Sequence, residues 1–191
     1  LYSVWPMRIE RLTMIGHSMG GLVARSAIHH SALIQRGALR WPGRVDDLIC
    51  LGTPHHGAPL ERIGHDGLDL VLGTAPYAAP LARLGKIHSA GIRDLRFGNV
   101  LKGPDQADRV ALPGNTRCFA VAASLGPAAG SLKKAFLGDG LVPVASALGQ
   151  HDDPALSLAF APEHQAVIHD TGHLGLLSST EVLARLLQWL S

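Results

Sequence analysis

Gly16-His17-Ser18-Met19-Gly20 restricts the fold of this chain more than any other segment does. It fits G-x-S-x-G, a pattern that sets a serine on a sharp turn between a strand and a helix. Such a turn lifts the hydroxyl clear and crowds the neighbouring main chain, so glycine is expected two residues to either side, at Gly16 and Gly20. The pattern alone recurs by chance in chains rich in Gly and Ser, so its flanks decide. Leu12, Met14 and Ile15 form an apolar run before it, and Gly20-Gly21 opens a helix-forming stretch over 22–36 that ends at Gly37. Strand, turn and helix in that order form one unit of an α/β fold, a mostly parallel sheet flanked by helices.

The remainder of the chain continues the theme. Residues 45–51 form a short apolar run closed by Gly52-Thr53-Pro54, and further buried strands are expected over 117–122 and 165–168. Ser178 and Glu181 read as a capping box. It opens a last helix whose stripe of Val182, Leu183, Leu186, Leu187 and Leu190 should pack on the sheet. Between strands, the Gly- and Pro-rich stretch over 58–112 is too long for a simple crossover and is expected to be a cap inserted over the site. Residues 1–191 then make a single domain. Only about a dozen residues precede the turn, so the chain reads as a partial fold whose N-terminal strands are missing. The strand at Leu12 would keep an unpaired edge, and the isolated piece is expected to aggregate or pair with itself.

Composition removes several function classes. With 47% apolar and 17% charged residues in 191, the chain is globular and not disordered. A net charge of +2 with no basic stripe argues against nucleic acid as a partner. No apolar run reaches the ~18 residues of a membrane-spanning helix. Cys50 and Cys118 fall in strand-like runs and read as buried free thiols, too few to indicate a compartment.

Serine is a weak nucleophile until a histidine takes its proton, and that histidine needs a carboxylate to hold its tautomer. His173, in the Gly-flanked loop Thr171-Gly172-His173-Leu174-Gly175 after the last strand, is the candidate base; His169 and His164 are its rivals. For the acid, Asp139 stands in Gly138-Asp139-Gly140-Leu141-Val142-Pro143, with Asp170, Asp152 and Asp153 as alternatives. The order Ser18, Asp139, His173 is the chain order of hydrolases with this serine turn. His17 reads as the variable position of the pattern. His55 and His56, being adjacent, cannot easily share one ion, so no metal site and no cofactor are expected.

These pieces resemble the lipase/esterase branch of the α/β-hydrolases, especially bacterial lipase-like and GPI inositol-deacylase-like members. The resemblance rests on Ile15-Gly-His-Ser-Met-Gly-Gly-Leu-Val-Ala-Arg25, Leu51-Gly-Thr-Pro-His-His-Gly57, Gly138-Asp-Gly-Leu-Val-Pro143 and Gly172-His-Leu-Gly-Leu-Leu177, with support from Ile92-Arg93-Asp94-Leu95. It implies a serine hydrolase of small-molecule or lipid esters, in which Ser18 attacks, His173 serves as base then acid, and Asp139 orients it. The backbone N–H of Met19 would be one oxyanion donor. A second donor would come from a loop upstream of Leu1. Acyl transfer and amide cleavage use the same triad and remain open, as does a non-catalytic binding domain. Some bacterial lipases hold calcium through an Asp two residues after the catalytic His; Gly175 stands there, which argues against that site.

Overall fold

Strands that are apolar on both faces can be buried only between two helical layers. That arrangement is present in the computed structural model, which describes residues 6–33, 45–57, 98, 100, 110–127 and 138–191. Strands β1 (Thr13–His17), β2 (Asp47–Leu51), β3 (Arg117–Ala123) and β4 (Gln165–Ile168) form one parallel sheet in the order β1-β2-β3-β4. Among the described residues three α-helices accompany it, α1 (Met19–Leu33), the short α2 (Val144–Ala147) and the C-terminal α3 (Thr180–Leu190), together with short 3-10 turns such as His173–Leu177. Among the described residues β1 pairs along one edge only, and no helix is long and apolar enough to cross a membrane. The cap expected over 58–112 lies almost wholly outside the described residues, as does the expected end of the first helix at Gly37.

Two-residue alternation sorts the core. Leu48 and Cys50 of β2, with Cys118, Ala120 and Ala122 of β3, face Ala24 and Ile28 of α1 and Ala147 of α2. Ile49, Leu51, Phe119, Val121 and Ile168 point the other way, onto Val182 and Trp189 of α3. Both thiols are free and buried; burial pushes Cys50 up to about 12 and Cys118 up to about 11, so neither forms a thiolate at neutral pH.

The last helix departs from expectation in two ways. Its cap is Ser179, whose hydroxyl accepts from the Val182 amide at 3.3 Å, one residue beyond the Ser178 of the sequence reading. The face it buries is Val182, Leu186, Trp189 and Leu190, while Leu183 and Leu187 are 56% and 63% exposed. The reason is the ring of Trp189. It stacks on Phe119 at 4.8 Å and donates its N–H to the carbonyl of Glu163 at 3.1 Å, rotating the helix about that anchor.

A carboxylate secures the opposite end of the sheet from the serine turn. Asp47, fully buried at the start of β2, accepts from Arg11 Nε (2.7 Å), Arg117 Nε (2.8 Å) and the Thr13 hydroxyl (2.9 Å). Arg11 also donates to the carbonyl of Leu190, tying the end of α3 to the sheet. Removing Asp47 cancels in one step the side-chain hydrogen bonds that tie Arg11, Thr13 and Arg117 together. Asp47→Ala should therefore lower unfolding free energy by about 3 kcal/mol, whereas Arg117→Ala, on the exposed side of the pair, should cost no more than about 1 kcal/mol. Denaturant titration of the two variants measures the difference.

Candidate active site

Ser18 follows β1 directly and adopts φ +55°, a left-handed backbone that non-glycine residues enter only when held there. Two hydrogen bonds hold it. Its amide donates to the Leu51 carbonyl at 2.8 Å, extending the β1–β2 ladder by one rung, and its carbonyl accepts from Gly21 at 3.1 Å, closing the first turn of α1. The turn is sharp because the backbones touch: a Cβ on Gly16 would lie 2.5 Å from the Gly21 nitrogen, and one on Gly21 would collide with the Thr53 side chain. The expectation for Gly20 is corrected. Outside its own helix no described atom lies within 4 Å of a Cβ there, since Gly20 sits on the exposed side of the first helical turn and Gly21, not Gly20, meets Thr53.

Asp139 and His173 meet directly. Gly138 and Gly140, both at positive φ, turn the chain tightly around Asp139. One carboxylate oxygen then accepts from the amides of Leu141 (2.9 Å) and Val142 (2.8 Å), and the other is 2.7 Å from His173 Nδ1. The His173 amide also donates to the Asp139 carbonyl at 3.1 Å, and both side chains are buried. An ionised carboxylate only accepts, so the shared proton belongs to Nδ1 and Nε2 keeps a lone pair. Leu125 donates its amide to the Gly138 carbonyl, which returns the acid loop to the end of β3.

Gly52 joins these pieces. It follows Leu51, the residue that anchors the Ser18 amide, at φ +57°. A Cβ on it would stand 3.2 Å from His173 Cε1 and 3.3 Å from Asp139 Oδ2. Ser18, Asp139 and His173 therefore gather at one rim, beyond the carboxyl ends of the parallel strands. Met19, partly exposed, is the first residue of α1. The rival groups lie elsewhere. His164 packs on Phe119 at 4.2 Å, and His169 Nδ1 lies 3.2 Å from the Gly126 carbonyl. Asp153 caps its own turn through the Ala155 amide, and Asp152 and Asp170 are exposed.

Two histidines do more than sequence pattern suggested. His17 Nε2 donates to the His173 carbonyl at 3.0 Å, and the two rings lie 4.7 Å apart. Burial, and then the neighbouring His173, hold His17 below the ordinary histidine value. No local signal announces a contact across 156 positions. His55 is buried with its Nδ1 3.1 Å from Arg25 Nη1; a guanidinium only donates, so His55 accepts and is neutral. Arg25 also donates to the Val110 carbonyl, linking α1 to the loop over 52–57 and to the chain entering β3. Among the described residues no group of three His, Cys, Asp or Glu is arranged to hold a metal ion.

Comparisons with known proteins bear on the fold. A family model described as the PGAP1-like alpha/beta domain matches residues 1–74, which include the serine turn and the Gly52 loop. No curated protein sequence matches the chain. Among solved structures, the mature form of the lipase BlEst2 from Bacillus licheniformis is similar at 22% identity and a TM-score of 0.56, over 95% of this chain and 66% of that one. Lipase 1 from Pelosinus fermentans is similar at 12% identity and a TM-score of 0.54, over 87% of this chain and 66% of that one. The chain thus spans just under two thirds of the length of these lipases. The fold they share with it is that of the α/β-hydrolases.

The glycine contacts separate three substitutions. Gly16→Ala and Gly21→Ala should each destabilise by about 2 kcal/mol or more through overpacking, while Gly20→Ala should be neutral or slightly stabilising in the helix; denaturation midpoints check the order. Acid should also weaken the fold. Burial first, and Arg25 next, hold His55 well below the 6.5 of an unfolded histidine, so the unfolded chain binds the extra proton. Stability is then complete above that value and declines as pH falls below it, by at most about 1.4 kcal/mol per pH unit for this ring. His55→Asn, which keeps an acceptor for Arg25 but does not titrate, should flatten the decline between neutral and mildly acidic pH.

Proposed function

We propose that this α/β-hydrolase-fold chain belongs to a serine hydrolase that cleaves carboxylic esters through an acyl-enzyme on Ser18. The observation that carries the reading is the 2.7 Å Asp139–His173 hydrogen bond at the rim where Ser18 turns out of the sheet. The lipase names of both fold neighbours agree with an ester substrate. So do the exposed apolar side chains of Met19, next to the nucleophile, of Leu125, which lies against Gly140 and Gly172, and of Leu177, at the end of the turn that His173 opens.

In this reading Asp139 keeps a proton on Nδ1, so His173 Nε2 is the base that accepts the Ser18 hydroxyl proton as the oxygen attacks the ester carbonyl carbon. The carbonyl oxygen becomes an oxyanion. The Met19 amide, which has no acceptor within α1, donates to it, and the helix N-terminus adds its positive end. Collapse of the tetrahedral adduct breaks the bond to the alcohol, which leaves with the proton from Nε2. Water repeats the sequence on the acyl-enzyme, releasing the carboxylic acid and restoring Ser18.

Treatment with a fluorophosphonate should place a single adduct on Ser18, and Ser18→Ala should abolish both labelling and ester hydrolysis. Asp139→Asn, which allows the wrong tautomer of His173, should lower kcat by about 10⁴ with little change in KM. An adduct on any other residue overturns the assignment. Formation of a new ester from an added alcohol, in preference to the free acid, would identify an acyltransferase instead.

A further inference from the structure

We infer that His17, the residue immediately before the nucleophile, is a positioning residue that holds the backbone of His173 in register with Ser18. This rests on the reading above and deepens it. Beyond its own 3-10 turn, the His173 main chain and ring make three hydrogen bonds among the described residues. Its amide donates to the Asp139 carbonyl at 3.1 Å, its Nδ1 bonds the Asp139 carboxylate at 2.7 Å, and its carbonyl accepts from His17 Nε2 at 3.0 Å. The first two ties bind the base to the acid. Only the third binds it to the strand that carries the serine.

The loop needs such a tie. His173 opens a short 3-10 turn, His173–Leu177, anchored by the buried Leu176, but the chain enters that turn through Gly172 and the bonds to Asp139 do not fix its distance from Ser18. His17 is suited to prevent this because it ends β1, whose position is set by the ladder to β2 through His17↔Leu51. Its side chain crosses to His173 and its ring packs on the base at 4.7 Å, filling the space beside the imidazole. A carbonyl only accepts, so Nε2 of His17 carries a proton, and a neutral ring then has its lone pair on Nδ1. Burial and the adjacent His173 favour that neutral form. It places no positive charge beside an imidazole that must itself become cationic during turnover. The nucleophile and its base are thereby linked through one residue of strand.

The test separates the hydrogen bond from the packing. Gln carries an N–H at the position of His Nε2, whereas Phe fills the same space and donates nothing. His17→Phe should lower kcat for a soluble ester by about 10- to 100-fold with KM unchanged, as expected for loosened alignment. His17→Gln should recover activity to within about threefold, a difference smaller than the loss of one hydrogen bond. Hydrogen exchange over residues 172–177 gives a readout that does not require turnover. It should be about tenfold faster in His17→Phe than in the parent and near the parental rate in His17→Gln. Equal kcat and equal exchange in the Phe and Gln variants overturn the assignment of His17. Failure of Ser18 to take up the fluorophosphonate in the unaltered protein would instead overturn the hydrolase reading and leave the exchange result to judge His17 alone.

Discussion

Helix α1 and strand β1 approach so closely at Gly16 and Gly21 that no side chain fits between them, and the rest of the site is built on that contact. Close approach forces Ser18 into a left-handed backbone, a conformation that costs about 1–3 kcal/mol and persists only where the surroundings over-determine it. Here they do, because the Ser18 amide is captured by Leu51 of the neighbouring strand. The same strand end then continues into Gly52 and Thr53. Thr53 abuts Gly21, and Gly52 lies under the imidazole and carboxylate of His173 and Asp139. One tight packing contact thus reaches the nucleophile turn on one side and the acid–base pair on the other.

The two ends of the sheet divide the work. At the amino ends of the strands, Asp47 is enclosed by Arg11, Arg117 and Thr13, and nearly all its hydrogen-bonding capacity is used within the protein. At the carboxyl ends, Asp139 is held as firmly by two amides and one imidazole, yet the imidazole keeps a nitrogen for further chemistry. Both carboxylates are buried and both are matched, as the cost of desolvating a charge requires. They differ in partner. A guanidinium is a permanent cation, while an imidazole can gain and lose a proton near neutral pH.

A buried and a half-buried histidine, His55 and His17, show the same economy of protons. His55 accepts from Arg25 and His17 donates to a carbonyl; each is held below the ordinary histidine value by its surroundings. Neutral rings can pack against Phe160 and His173 at 5.3 and 4.7 Å, where charged ones would need solvent or an anion. Acid sensitivity of the fold at His55 and alignment of the candidate base through His17 both draw on rings that their surroundings hold neutral.

Much of this was legible in the linear chain because it depends on local physics. The turn at Ser18, the three later strands and the Gly-flanked loops around Asp139 and His173 all follow from residue types a few positions apart. Strand periodicity and glycine freedom act over that same short range. Misreadings occurred where a distant partner decided. Gly20 fits the five-residue pattern, but it is Gly21 that meets Thr53. The stripe of the last helix is rotated because Trp189 finds Phe119 and Glu163. His17 could not be distinguished from a variable residue until the chain had folded and brought it to His173. Local sequence determined which turns and strands form, since their energies are set by neighbours along the backbone. Which side chains share a buried surface, and so which histidine supports which, was decided only by the tertiary structure, because packing and desolvation act between residues that the chain itself keeps far apart.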